Sequence, residues 1–159
     1  MVQLTKTQIV EFFQRSYKTV DGLWFVKVEE KYGFDIALDI DEEVWKVMPK
    51  IQARFLKKAL KMEQGLEALK ECLELRLRLE GFTFETNRID NGFELMVSEC
   101  PWHTIMIKSG REHLSEKVGG RICSVEYGVW AKEFGEGIRF ELGEGVCKGE
   151  GRCVLRFTT

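Results

Sequence analysis

The sequence predicts an α+β fold, an N-terminal helical layer of about four helices packed on a C-terminal antiparallel sheet with two further helices inserted. Three observations lead there. Apolar residues recur at helical spacing up to residue 80, short alternating runs and glycines take over after Gly81, and no linker, repeat or low-complexity tract interrupts the chain. At 159 residues the chain is long enough to bury one continuous core without disulfides. Residues 1–159 are therefore expected to form a single domain, mainly helical over 1–80 and mixed over 81–159.

The elements follow in order. Thr5 and Gln8 have the spacing of a capping box, and Ile9, Phe12, Phe13, Tyr17 and Val20 follow on one helix face. The pair Asp21-Gly22 predicts a break, after which Leu23, Trp24 and Val28 keep the same period as far as Gly33. Asp39 and Glu42 predict the start of a long second helix carrying Val44, Val47, Ile51, Phe55 and Leu60, kinked at Pro49 because proline lacks the amide that would bond to Trp45. Leu66, Leu69, Leu73 and Leu77 place a helix over 66–80 with Cys72 in its apolar stripe, and Gly81 ends it. Phe82 and Phe84, then Asn91-Gly92, then Phe93, Leu95 and Val97 form a hairpin pattern. Residues 104–108 read as a third strand, Ser109 and Glu112 as the cap of a short helix through Val118, and 121–134 as a separate helix beyond Gly119-Gly120. A final hairpin is expected over 138–146 and 152–158.

Composition narrows the functional classes. Net charge is −2, and each half of the chain balances its acidic and basic residues, which excludes the basic excess of a nucleic-acid footprint. No apolar run is long enough to span a bilayer. The first residues lack the basic, apolar and small-residue sections of a secretory signal, so a cytoplasmic location is expected. Five cysteines in such a compartment are read as metal or thiol chemistry rather than a disulfide framework.

Candidate chemistry lies in the second half. Cys100 and His103 are three residues apart, while Cys147 and Cys153 flank a glycine-rich turn. Two such pairs are the usual way to hold a tetrahedral metal, with zinc favoured. Cys123, alone on its helix, is able to replace one ligand. Cys123 is also a candidate nucleophile, as is Cys100, with His103 or His113 as base; plain packing is the third reading for these thiols. Glu126 and Trp130 share the Cys123 face, with Glu126 a candidate general base and Trp130 a candidate substrate contact. Ser109 and Arg111, at an expected helix start, are candidates to bind a substrate carboxylate or phosphate, with an ordinary capping box and solvated charges as the other reading. The glycine pairs at 143/145 and 149/151 do not make a dinucleotide loop, because no strand-to-helix turn follows them.

The segments DGLWFVKVEEKYG (21–33), VWKVMPKIQARFLKKAL (44–60), CPWHTIMIKSGREHLSEKVGGRIC (100–123), EYGVWAKEF (126–134) and CKGEGRCVLRF (147–157) resemble a prokaryotic domain-of-unknown-function family. That family is similar to the L-2-amino-thiazoline-4-carboxylic acid hydrolases, which open a cyclic amidine made from cysteine to give carbamoyl-cysteine. The closing segment also resembles the 4-vinyl reductase domain, a small-molecule-binding module. The resemblance implies a small-molecule hydrolase acting on a carbon-nitrogen bond, or alternatively a metal- and small-molecule-binding sensor or scaffold without activity. It also implies a homodimer.

Overall fold

The computed structural model describes residues 3–159 and is α+β, with six α-helices and four strands among the described residues. The chain divides into two compact units, the first ending at Asp41 and the second comprising Glu42–Thr159.

In the first unit, α1 (Lys6–Tyr32) starts at the expected capping box, with Gln8 N donating to Thr5 Oγ1 at 3.2 Å and Thr5 N donating to Gln8 Oε1 at 2.9 Å. It runs without the break expected at Asp21-Gly22. One helical glycine costs only about 1 kcal/mol relative to alanine, and the apolar residues on both sides keep one period, so propagation continues through it. The helix ends at Gly33, whose φ of 90° suits a residue without a Cβ. None of the residues of α1 is buried.

The unit boundary falls within α2 (Phe34–Trp45), which starts before the box expected at Asp39. The long kinked helix of the prediction is instead two helices. After Val47, α3 (Met48–Leu60) begins with Pro49 in its first turn, where the missing amide has no partner to lose. Pro49 thus opens a helix rather than bending one. Then α4 (Leu66–Glu80) and its left-handed Gly81 end match the expectation.

The hairpin at Asn91-Gly92 is present, joining β1 (Thr83–Ile89) to β2 (Gly92–Glu99). Residues 104–108 are not a strand. They belong to α5 (Pro101–Lys108), where Pro101 fits the first turn and Thr104 Oγ1 donates to the Cys100 carbonyl at 3.1 Å, which accommodates the β-branched residues that suggested a strand. A short 3-10 turn, Glu112–Leu114, leads into α6 (Ser115–Phe134), which passes through Gly119-Gly120 unbroken. The final hairpin consists of β3 (Arg139–Leu142) and β4 (Cys153–Thr158), joined by a loop containing a second 3-10 turn, Val146–Lys148.

All strand pairs are antiparallel, in the order β1-β2-β4-β3. Alternate residues Phe93, Leu95 and Val97 of β2 join Leu155 and Phe157 of β4 on the buried face. Leu69, Leu73 and Leu77 of α4, Trp130 and Phe134 of α6, and Ala53 and Leu56 of α3 fill the same core. Cys72 is fully buried there, as its place in the leucine stripe indicates. Because Cys153 pairs with Val97 and alternates with Leu155, its side chain lies at the end of this buried face, close to where β2 gives way to Cys100.

Candidate functional site

Four cysteines from separate parts of the chain lie toward that end of the sheet. Cys100 immediately precedes α5, Cys123 lies on α6, Cys147 sits in the Val146–Lys148 turn and Cys153 opens β4. Cys100, Cys123 and Cys153 pack against the core. Burial raises the Cys123 thiol first, and Glu126, Cys100, Cys147 and Cys153 are near enough to add to it electrostatically, as Cys100 and Cys153 add to the effect of burial on Cys147.

Gly119 explains how Cys147 reaches the group. A Cβ at residue 119 would lie 3.0 Å from Cys147 Sγ, tighter than ordinary packing. The glycine pair that suggests a helix break is, at this position, a seat for the turn against α6. Close approach of another chain segment is the second common reason for a glycine inside a regular element.

Backbone amides face two of the sulfurs. Val146 N donates to Cys153 Sγ at 3.1 Å. The amides of Trp102 and His103, at the start of α5, act on Cys100 in the same sense without forming a side-chain cap. Such donors favour a thiolate, yet burial outweighs them. Desolvation pushes Cys100 up to about 11 and Cys147 up to about 12, and raises Cys153 and, much further, Cys123. All four are thus protonated thiols at neutral pH when no cation is present.

This has a consequence for stability. A thiol whose pKa is raised on folding keeps a proton that the unfolded chain releases, so the stabilisation is complete below the ordinary thiol range and is lost as pH rises through the folded value. Metal-free protein is expected to lose stability steadily from about pH 8.5, the ordinary thiol range, up to about pH 12, read as a falling urea midpoint at unchanged slope. A midpoint that is flat or rises over that window contradicts the burial of these thiols.

The other predicted residues occupy different settings. His103 lies on α5, and its Nδ1 is buried without a hydrogen-bond partner among the described residues. Ser109 closes α5 instead of opening a helix, its hydroxyl donating back to the Met106 carbonyl at 3.0 Å. Arg111 follows two residues later, before the single 3-10 turn that carries His113. The amide cluster expected to receive a carboxylate therefore does not assemble at Ser109, because a helix C-terminus presents carbonyls. Trp130 is fully buried and stacks on Phe134 at 6.0 Å between ring centroids. Of the other tryptophans in the Glu42–Thr159 unit, Trp45 and Trp102 meet edge to face at 5.8 Å.

Glu126 is buried beside Cys123 but engaged by a cation that the sequence reading passed over. Arg76, on α4, is itself buried and pairs with Glu126 through Nη2. Its Nε donates to Glu80 Oε1 at 2.9 Å and its Nη1 to the Tyr127 hydroxyl at 3.3 Å, while the guanidinium stacks over the rings of Phe82 and Tyr127. A signal existed in the sequence. Arg76 and Glu80 continue the stripe of Leu69, Leu73 and Leu77 at spacings of three and four, so both charges fall on the face that has to be buried.

Among the described residues, no group of three or more His, Cys, Asp or Glu side chains is arranged as a metal site, and no helix is long and apolar enough to cross a membrane. No curated protein and no solved structure matches the chain. The model of a family of unknown function (DUF6125) matches residues 2–145, a span that includes Cys100 and Cys123 and stops just before Cys147. With that match covering most of its length, the chain belongs to the family of unknown function DUF6125.

Proposed function

We propose that this domain is a metal- and small-molecule-binding sensor or scaffold, in which Cys100, Cys123, Cys147 and Cys153 take up one zinc ion. What supports this reading is the proximity of four cysteines drawn from separate parts of the chain, with Cys100, Cys147 and Cys153 all near enough to act electrostatically on Cys123. Four neutral thiols in a half-dry site gain little from one another beyond packing. A divalent cation changes their state, since it deprotonates coordinating thiols and satisfies the resulting charge, while the amide facing Cys153 and those facing Cys100 support the sulfur anions. Metal uptake in this reading draws the side chains to a common centre from rotamers that do not yet share one. His103, counted with Cys100, Cys147 and Cys153 on sequence spacing, gives its place to Cys123.

The hydrolase implied by the resemblance to aminothiazoline carboxylate hydrolases has less physical support. It requires Cys123 as a thiolate or Glu126 as a free base. Burial holds the Cys123 thiol protonated, and Arg76 occupies the Glu126 carboxylate. The small-molecule role rests on the likeness of the closing hairpin to the 4-vinyl reductase domain, and it fits a site whose metal orders the Val146–Lys148 turn.

Protein purified without oxygen is expected to carry about one zinc per chain by elemental analysis, because a four-cysteine site binds one tetrahedral ion. Cys123→Ser and Cys153→Ser are expected to lose that zinc, and Cys72→Ala to keep it. Chelation should lower the melting temperature of the wild type and of Cys72→Ala, and leave those of Cys123→Ser and Cys153→Ser unchanged. Zinc-free protein with five freely titrating thiols would overturn the proposal, and turnover of aminothiazoline carboxylate that Cys123→Ser abolishes would replace it with the hydrolase.

A further inference from the structure

The end of α3 and the turn that follows it border an open cavity of about 660 Å³, wholly within the Glu42–Thr159 unit. That volume is ordinary for a small-molecule site. Four of its lining residues are cations, Arg54, Lys57, Lys58 and Lys61, and the one acid among them is Glu63.

Two of the cations are held in place. Arg54 donates from Nε and Nη2 to the Glu133 carboxylate at 2.9 and 2.8 Å, which fixes the guanidinium and leaves Nη1 for another acceptor. Lys57 Nζ donates to the Glu133 carbonyl at 2.5 Å and lies 4.9 Å from the centre of the Phe134 ring. Lys58 and Lys61 have no acidic partner among the described residues. Setting Glu63 and Glu133 against the four cations leaves an excess of two positive charges at the site.

Lys61 supplies a second observation. With φ of 55° it is the one non-glycine residue of positive φ among the described residues, and it follows α3 at the position where glycine usually stands. Left-handed backbone is costly for a residue with a Cβ, and such strain collects at ligand sites. Helix-end electrostatics account for Lys57 and Lys58 in the last turn of α3, since cations favour the carbonyl end. They do not account for lysine at 61, because glycine there would cap the same carbonyls with the same backbone amide and no strain. What lysine adds is an ammonium group at the cavity wall.

We infer that this cavity binds a small molecule bearing a dianionic phosphate group, with Arg54 Nη1 and the Lys58 and Lys61 ammonium groups as donors. A phosphate matches the excess charge, and its three terminal oxygens accept from several directions at once. Glu133 lies ten residues, about 15 Å, along α6 from Cys123. The site is therefore distinct from the cysteine group and does not depend on zinc.

Phenyl phosphate titrated into the full chain at constant ionic strength is expected to shift the backbone amide resonances of residues 58–64 saturably. Lys61→Gly should weaken that binding about tenfold, the worth of one charge-assisted contact, while raising the melting temperature by relieving the strain. Lys58→Gln, a change at an exposed side chain, should weaken binding by a similar factor at an unchanged melting temperature. Both variants should keep the wild-type zinc content, so a failure of this site leaves the metal reading untouched. Absence of saturable shifts overturns the proposal, as does wild-type affinity in either variant. Phosphatidic acid vesicles distinguish the source of the phosphate. Co-sedimentation that excess phenyl phosphate abolishes supports the site with a lipid headgroup as its ligand, and no co-sedimentation supports a free ester. Co-sedimentation that persists in both variants and in excess phenyl phosphate assigns the phosphate contact to another surface and overturns the proposal.

Discussion

Arg76→Ala is expected to destabilise the Glu42–Thr159 unit by about 3–5 kcal/mol, the usual cost of removing one partner from a buried ionic group. Arg76 is only 3% exposed, and both of its carboxylate partners, Glu80 and Glu126, are buried with it. Removing the guanidinium takes their common counter-charge from the interior, together with the donor to the Tyr127 hydroxyl and the stacked surface over Phe82. The loss should appear as a fall in the urea midpoint without a change in slope. A triple variant, Arg76→Met with Glu80→Gln and Glu126→Gln, separates the charge from its role: it should recover most of the loss, since a neutral set of similar volume carries no desolvated charge. A loss below about 1 kcal/mol in Arg76→Ala would mean that the pair behaves as an exposed one.

Gly92→Ala is the second large effect, expected at about 3 kcal/mol, toward the upper end of overpacking costs. A Cβ at residue 92 would lie 1.9 Å from the Phe157 carbonyl oxygen and 3.0 Å from Thr158 Cα. These are backbone atoms of the neighbouring strand, held by the β2-β4 ladder in which Gly92 pairs with Thr158, so no side chain can rotate away. Relief requires β4 to separate from β2 at this end, which also disturbs the stacked Phe93 and Phe157 rings. The variant should lose stability and show faster amide exchange at the Thr158 end of β4, with Gly120→Ala as a control because a Cβ there meets nothing within 4 Å. Equal stability of the two variants would refute the close approach. In the hairpin pattern Gly92 looks like ordinary turn chemistry, yet its tightest constraint comes from a strand more than sixty residues later.

Local patterns were legible where neighbours in sequence are also the decisive neighbours in space. The Thr5-Gln8 box, the leucine stripe of α4 and the Asn91-Gly92 hairpin each depend on interactions a few residues apart, so their spacing specified them. The readings at Pro49, at Thr104 to Lys108 and at Gly119-Gly120 went differently because each residue type has two local uses. Proline kinks a helix or opens one, β-branched residues suit a strand or a helix whose hydroxyl is satisfied, and glycine breaks a helix or admits a neighbour. The fold around each residue chose between them.

The candidate site divides in the same way. That cysteines of the second half were the residues to watch followed from their number and spacing, and the sequence by itself determined the α+β class, the antiparallel hairpins and the core position of Cys72. Only the tertiary structure decided that Cys123 lies near Cys100, Cys147 and Cys153, that Ser109 ends a helix, and that Glu126 is engaged by Arg76. Periodicity assigns a side chain to a face of its own element. Which faces then meet depends on how helices and sheet pack, and here that packing brought residues 50 positions apart into one buried ion pair.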